Sequence, residues 1–321
     1  MKVLPATPTN IKQAAQVLRQ GGLVAFPTET VYGLGANAFD PLAVARIFEV
    51  KQRPEFDPQI IHIASPEETS LIWSQQSELA SRLIEHFWPG PLTLVCLKKE
   101  NIPDIITAGL PTAAVRMPDH PVALALLKKA GLPVAAPSAN LFGHLSPTTA
   151  EHVAEQLGPH IDLILDGGKT PIGIESTVLD LTGEPTLLRP GGVPVEEIEK
   201  IIGPLKMHPS SQKPLSPGQL PQHYAPRTPL VIIQGQFDFP PELKIGYLAF
   251  RSPPSKVRAA RVEVLSSSGS LREAAANLFE ALHRLDRANL DIILAEPLPE
   301  MGLGRAIMDR LRKAAAKPQS R

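Results

Sequence analysis

Residues 22–50 read GLVAFPTETVYGLGANAFDPLAVARIFEV, and the expectation for the whole chain follows from their order. GLVAF (22–26) is a short apolar run behind a Gly-Gly stop, which predicts a buried strand. Asp40 before Pro41 marks a helix start: the carboxylate can cap, and proline at the first helical position forfeits no hydrogen bond. PLAVARIFEV (41–50) then carries apolar residues at helical spacing. Between strand and helix, FPTETVYGLGAN (26–37) packs two threonines, a glutamate, a tyrosine and two glycines into one segment. A plain turn needs far less, and sites gather on loops, so something is expected to be gripped there.

The alternation continues outward. Thr9 or Asn10 is expected to cap a helix ending at Arg19. Strands are predicted at QIIHIA (59–64), LTLVCL (92–97), AAVRM (113–117), PVAAP (133–137), DLILD (162–166), STVLDL (176–181) and TLLRP (186–190). Helices are predicted after the capping box Ser65-x-x-Glu68, over 77–87 and 121–130, and after the capping box Thr148-x-x-Glu151. Several strands follow one another with no helix between them, which implies a mixed sheet in an α/β layout. Residues 203–229 break the pattern with seven prolines in 27 residues, an extended and semi-stiff segment. Strands at LVIIQG (230–235), KIGYLAF (244–250) and DIILAE (291–296) follow, with a helix from the capping box Ser270-x-x-Glu273 and another over 305–315. These form a small second α/β domain.

The totals agree with two domains, since 321 residues exceed the roughly 250–300 at which one core stops growing. Lys+Arg and Asp+Glu are equal at 32 each, so no bulk basic field draws nucleic acid and any anion site must be local. Cys96 is the single cysteine, which excludes an internal disulfide and a multi-cysteine zinc site and suits a reducing compartment. No secretory or membrane-length apolar run is present, so a cytoplasmic protein without a membrane partner is expected.

Two motifs fail on their spacing. Gly33-x-Gly35-x-x-Ala38 mimics a dinucleotide fingerprint, but six residues separate Phe26 from Gly33 and the helix begins only near Pro41. Gly168-Lys169-Thr170 resembles the end of a phosphate-binding P-loop, but its required upstream glycine is Leu163. Lys51 and Arg53 lie just past a helix end, where cations ordinarily complement the helix dipole. Arg116 and Arg189 each end an apolar strand, and for Arg116 no local carboxylate precedes Asp119. Such cations converging in one cleft would suit a phosphate- or carboxylate-rich substrate. APSAN (136–140), SPT (146–148) and ESTVLD (175–180) add hydroxyls that alone read as turn chemistry, and His62 alone reads as a core histidine.

Taken in order, FPTETVYGLG, KQRP, HI, FWPGPLTLV, AVRMPDHP, PVAAPSAN, GIESTVLDL and LLRPGG resemble the threonylcarbamoyl-AMP synthase family, built on the YrdC domain. HYAP in the proline-rich stretch and the α/β tail resemble its longer, two-domain form. The resemblance implies a YrdC-like twisted mixed sheet with helices around an open cleft (1–203), a linker acting as a lid (204–229) and a small Rossmann-like α/β domain (230–321). It implies a nucleotidyltransferase that makes threonylcarbamoyl-AMP and pyrophosphate from L-threonine, bicarbonate and ATP. The product would go to a tRNA-modifying transferase complex, without direct tRNA binding.

By motif position, Thr30, His62, Arg116, Ala136 and Ser176 are implied threonine contacts. Arg53, Asp57, Thr112, Ser138, Ser146, Arg189 and Tyr224 are implied ATP contacts, and Lys51 with Arg53 is the implied catalytic pair. Asp57 departs from the family pattern, where Asn is common, and a carboxylate there would repel phosphates unless Mg²⁺ bridges. Mg²⁺ is expected to arrive with ATP, without dedicated protein ligands. An RNA-binding module and a carbamoyltransferase using carbamoyl phosphate are the alternatives. Neutral charge and few aromatics weigh against the first, and the single cysteine against the second.

Overall fold

Thr7 starts the first helix: its hydroxyl accepts the Asn10 amide at 3.3 Å, and Pro8 fills the first helical position of α1 (Pro8–Arg19). The cap falls before the expected Thr9 or Asn10 because Pro8 already has the helical φ and no amide to satisfy. The Asp40 start is as expected: its carboxylate accepts the Leu42 and Ala43 amides at 3.0 and 3.2 Å and opens α2 (Pro41–Lys51). In this computed structural model, residues 2–208, 215–218, 223–233, 242–253 and 258–316 are described. The other helices are α3 (Thr69–Ile72), α4 (Glu78–Phe87), α5 (Asp104–Thr107), α6 (Pro121–Ala130), α7 (Ala150–Leu157), α8 (Val195–Ile202), α9 (Leu271–Asp286) and α10 (Leu303–Ala315).

The larger sheet contains β1 (Lys2–Pro5), β2 (Val24–Phe26), β3 (Gly33–Asn37), β4 (Ile60–His62), β5 (Leu92–Leu97), β6 (Thr112–Arg116), β7 (Val134–Ala135), β8 (Leu163–Asp166), β9 (Thr177–Asp180), β10 (Thr186–Arg189) and β11 (Lys206–Met207). Their order is β1-β8-β2-β3-β7-β4-β6-β5-β9-β10-β11, with parallel and antiparallel pairs interleaved, so the sheet is mixed. The smaller sheet contains β12 (Leu230–Ile232), β13 (Ile245–Ala249), β14 (Arg261–Val264) and β15 (Ile292–Ala295), ordered β12-β15-β13-β14 and wholly parallel.

Three local expectations are corrected. The segment FPTETVYGLGAN is not one loop, because its second half is β3, antiparallel to β2 with Phe26 opposite Gly33. Glycine at 35 allows this: an added Cβ would lie 2.8 Å from both the Phe26 ring and Val134. Gly35→Ala should therefore cost about 1–3 kcal/mol of overpacking, read as a lower urea midpoint at unchanged slope. An unshifted midpoint would show that the ring has room to yield. The α7 cap is Thr149 (3.3 Å to the His152 amide) rather than Thr148, whose hydroxyl turns inward to His152 Nδ1 at 3.4 Å. Ser65 makes no capping bond; Pro66–Glu68 is a 3₁₀ turn leading into α3.

The first domain was expected to be complete before Gly203, but β11 extends its sheet to Met207. Its core is its own: α1 and α6 pack together on β2 and β8 through Ala14, Leu18, Leu126, Phe26 and Leu163. The core of the second domain is not closed in the same way. Leu278, Phe279, Leu282, Ile307 and Leu311 from α9 and α10 form one cluster with Val31, Leu145 and Ile174 of the first domain and with Tyr224. Polar ties surround that seam. His152 and His283 stack with centroids 3.8 Å apart, His283 Nε2–H donates to the Ser146 carbonyl at 3.2 Å, and Arg287 pairs with Glu155 at 2.5 Å. At Gly173 (φ +76) an added Cβ would lie 2.6 Å from the Ala275 carbonyl, so α9 rests on bare backbone there.

Candidate active site

β4 and β6 run parallel with His62 beside Arg116, so an imidazole and a guanidinium share one strand end. The loop before β3 delivers its polar side chains to that end. Arg116 donates through one terminal nitrogen to Thr30 Oγ1 at 3.0 Å and through Nε to the Gly90 carbonyl at 3.3 Å. Its other terminal nitrogen lies 2.6 Å from Glu29 Oε2, and both side chains of that pair are 4% exposed. The carboxylate missing from the local sequence around Arg116 is therefore supplied from 87 residues away. Proton directions follow from the chain of contacts. Thr28 donates to the Val31 carbonyl at 2.7 Å, so Thr30 must donate to Thr28 at 2.8 Å and accept from Arg116. Burial first, and then Arg116, push the His62 imidazole down to about 3, so the ring is neutral near pH 7. Its Nδ1 has no hydrogen-bond partner among the described residues.

A second group enters from β9 and β10. Arg189 grips the Ser176 carbonyl through Nε and a terminal nitrogen at 3.1 and 2.9 Å, and reaches Ser176 Oγ at 3.1 Å. Its remaining terminal nitrogen donates to the Pro217 carbonyl at 3.0 Å, joining the proline-rich segment to the site. Among the described residues Arg189 is held by neutral oxygens, with no carboxylate in ion-pair range. Arg53 differs, lying 2.9 Å from the fully buried Asp57 carboxylate and donating to the Pro58 carbonyl at 2.8 Å. Lys51 reaches past its own helix end to the Ser138 and Asn140 carbonyls, both at 2.5 Å. Burial first, with Arg53 adding to it, holds the Lys51 ammonium well below the usual lysine range.

These groups surround one cavity of about 40 Å³. Of the residues singled out in the sequence, Thr30, Arg53, His62, Arg116, Ala136, Ser138, Ser176 and Arg189 line it. Ala136 offers little more than its carbonyl, because its amide donates to the Ile60 carbonyl at 3.0 Å. Lys51, Asp57, Thr112, Ser146 and Tyr224 do not line it. Lys51 shapes the loop carrying Ser138, Asp57 stands behind Arg53, and Ser146 donates to Glu175 at 2.5 Å. Thr112 lies at the far end of β6, about 13 Å along the strand from Arg116. Pro217, Gly218 and His223 of the proline-rich segment also line the cavity. Within the predicted 204–229 lid, 209–214 and 219–222 lie outside the described residues.

Tyr224, at φ +62, turns its ring into the shared core, 5.7 Å from Phe279. Its hydroxyl and Arg189 both edge the space at Gly218, where an added Cβ would lie 2.5 Å from the hydroxyl oxygen and 3.2 Å from Arg189 Cδ. Sequence reasoning missed Glu29, Glu175 and Arg310. Arg310 Nε donates to Glu175 Oε2 at 2.7 Å across 135 residues, a pairing with no local signal.

Comparison with known proteins decides the family. A family model described as telomere recombination (Sua5, YciO, YrdC) matches residues 16–191, and one described as threonylcarbamoyl-AMP synthase, C-terminal domain, matches 193–316. The chain belongs to the threonylcarbamoyl-AMP synthase family. The threonylcarbamoyl-AMP synthase of Pyrococcus abyssi is 50% identical, over 95% of this chain and 94% of that protein. The enzyme of that name from Bacillus subtilis is 46% identical over 95% and 92%. The crystal structure of P. abyssi Sua5 complexed with L-threonine superposes with a TM-score of 0.92 at 45% identity, covering 98% of each chain. Members of the family need not carry both domains. A Mycobacterium tuberculosis relative, 39% identical, covers 60% of this chain but 89% of itself.

Proposed function

We propose that the cavity joins L-threonine, bicarbonate and ATP into threonylcarbamoyl-AMP, releasing pyrophosphate. The observation that carries this reading is Arg116. Two of its five N–H donors are hydrogen-bonded, to Thr30 and Gly90, while the terminal nitrogen ion-paired with Glu29 makes no hydrogen bond, so both terminal nitrogens keep N–H groups for the threonine α-carboxylate. Thr30, neutral His62 and Ser176 then offer hydrogen bonds to the amino-acid hydroxyl and amine. Arg53 and Arg189 face the nucleotide, with Ser138, Ser146, Asp57, Thr112 and Tyr224 assigned to its remaining contacts. Lys51 acts through the Ser138–Asn140 loop that it holds.

The chemistry asks for positioning more than for a protein nucleophile. The threonine amine attacks the bicarbonate carbon and water leaves, giving a carbamate whose oxygen attacks the α-phosphorus as the bond to pyrophosphate breaks. Cations around the developing charge, and exclusion of water from a labile mixed anhydride, supply the rest. Pro217 and His223 of the proline-rich segment line this cavity and so help to keep water from the labile product.

The acidic groups at this site do not fit a resident metal. Glu29, Asp57 and Glu175 are each paired with an arginine, and no group of three metal-ligating side chains occurs among the described residues. Mg²⁺ therefore belongs to the nucleotide as substrate. The mixed-anhydride product suits consumption by a tRNA-modifying transferase complex. No described helix is long and apolar enough to cross a membrane.

The direct experiment incubates the pure protein with ATP, labelled bicarbonate and threonine, and follows pyrophosphate and labelled nucleotide. Threonine should exceed valine by about 100-fold or more in kcat/KM, because valine leaves the hydroxyl partners unpaired. Equal turnover of valine would remove threonine from the reading.

A further inference from the structure

The nucleotide side of the cavity leans on a residue from the other domain. Arg310, on α10, has a side chain with no exposed surface. Its Nε donates to Glu175 at 2.7 Å, and one terminal nitrogen reaches Asp309 at 2.6 Å and the Pro190 carbonyl at 3.0 Å. The flat of the guanidinium lies 5.0 Å from the centre of the Tyr224 ring, within cation–π range. Glu175 lines the cavity and uses its second oxygen to accept the Ser146 hydroxyl at 2.5 Å. Pro190, whose carbonyl Arg310 holds, directly follows Arg189. Ser146, Arg189 and Tyr224 thus arrive from three separate segments, and each is one contact or one peptide bond from Arg310 or its carboxylate.

We propose that Arg310 is a positioning residue for ATP, setting Ser146, Arg189 and the Tyr224 hydroxyl in register through Glu175, Pro190 and its own flat face. This rests on the reading above that those three side chains face the nucleotide. Arginine suits the role because one planar fork serves a carboxylate, a carbonyl and an aromatic ring together, which a lysine ammonium cannot. Burial alone would raise the Glu175 carboxyl, but Arg310 and then Arg189 outweigh it and keep the carboxylate ionised, so Ser146 meets an acceptor. Arg310 is not the sole tie between the domains, since His152–His283, Arg287–Glu155 and the backbone seat at Gly173 also join them.

The test separates positioning from simple clamping. ATP and threonine affinities are measured by calorimetry, and both KM values by pyrophosphate release, for wild type, Arg310→Met and Arg310→Lys. Arg310→Met is expected to weaken ATP by about tenfold or more while threonine changes less than about twofold, and Arg310→Lys to recover part of the loss. Equal weakening of both ligands, or a lower melting temperature with both affinities unchanged, overturns the proposal. If Arg310→Met does not fold, Arg310→Lys alone must still show the ATP-selective loss. Wild type that binds ATP but forms no product sinks the proposed function only, since the calorimetric arm still decides about Arg310. Wild type that binds no ATP overturns both.

Discussion

Cutting the chain after His208 should leave a folded first domain that makes threonylcarbamoyl-AMP at least about 100-fold more slowly. The fold survives because α1, α6 and α2 have their partners before that point and β11 closes the sheet edge at Met207. Activity falls because three supports leave together. Arg189 loses the Pro217 carbonyl, Glu175 loses Arg310, and the cavity loses its cover at Gly218 and His223. Removing one partner of a buried charged pair costs about 2–5 kcal/mol, so the loss of Arg310 alone accounts for a factor of roughly 30 or more. Circular dichroism and product formation on the truncated chain check the two halves of the expectation. Full activity would make the proline-rich segment a tether and nothing else. A lost fold would mean that Val31, Leu145 and Ile174 cannot tolerate exposure.

The second large effect divides the cations by ligand. Arg116→Ala should raise the threonine KM by about 30-fold or more with ATP little changed, whereas Arg53→Ala and Lys51→Ala should act on ATP use. Two costs arise in Arg116→Ala, because Glu29 is also left buried without its partner, a situation worth about 3–5 kcal/mol of stability. Pairing the change with Glu29→Gln removes that second cost, so a melting curve beside the kinetics separates binding from folding. For Lys51→Ala the expected path is indirect, through a loosened Ser138–Asn140 loop. Wild-type kinetics in all three variants would return these residues to ordinary helix- and strand-end capping.

What the sequence made legible was local. The Asp40-Pro41 start and the run of ordered motifs each depend on neighbours a few residues apart, and they stand where expected, whereas the supposed loop between β2 and α2 also holds β3. What escaped depends on distance. Arg116 invited the question of its counter-ion, but Glu29 meets it only after β2, β3, β7, β4 and β6 have assembled in that order. Arg310 is one cation among several in the last helix, and the docking of α10 buries it. Edge strands were hard for another reason. β14 reads RVEV, with charge between its apolar residues, and β11 is two residues inside a proline-rich run. By contrast α8 had a readable signal in Val195, Ile198, Ile201 and Ile202, at helical spacing and passed over beside the prolines.

The shared core also sets a timetable for the newborn protein. A ribosome releases the first domain, with Val31, Leu145 and Ile174 on its flank, before it has made α9 and α10, which cover them. At about 5–20 residues per second, the stretch from 209 to 316 takes roughly 5–20 s to translate. For that interval a greasy patch beside a half-built site faces water, a moment at which a chaperone or a neighbouring nascent chain can compete for it. The delay has a second edge. Since Arg310 belongs to α10, Glu175 waits for its partner until that helix has been made.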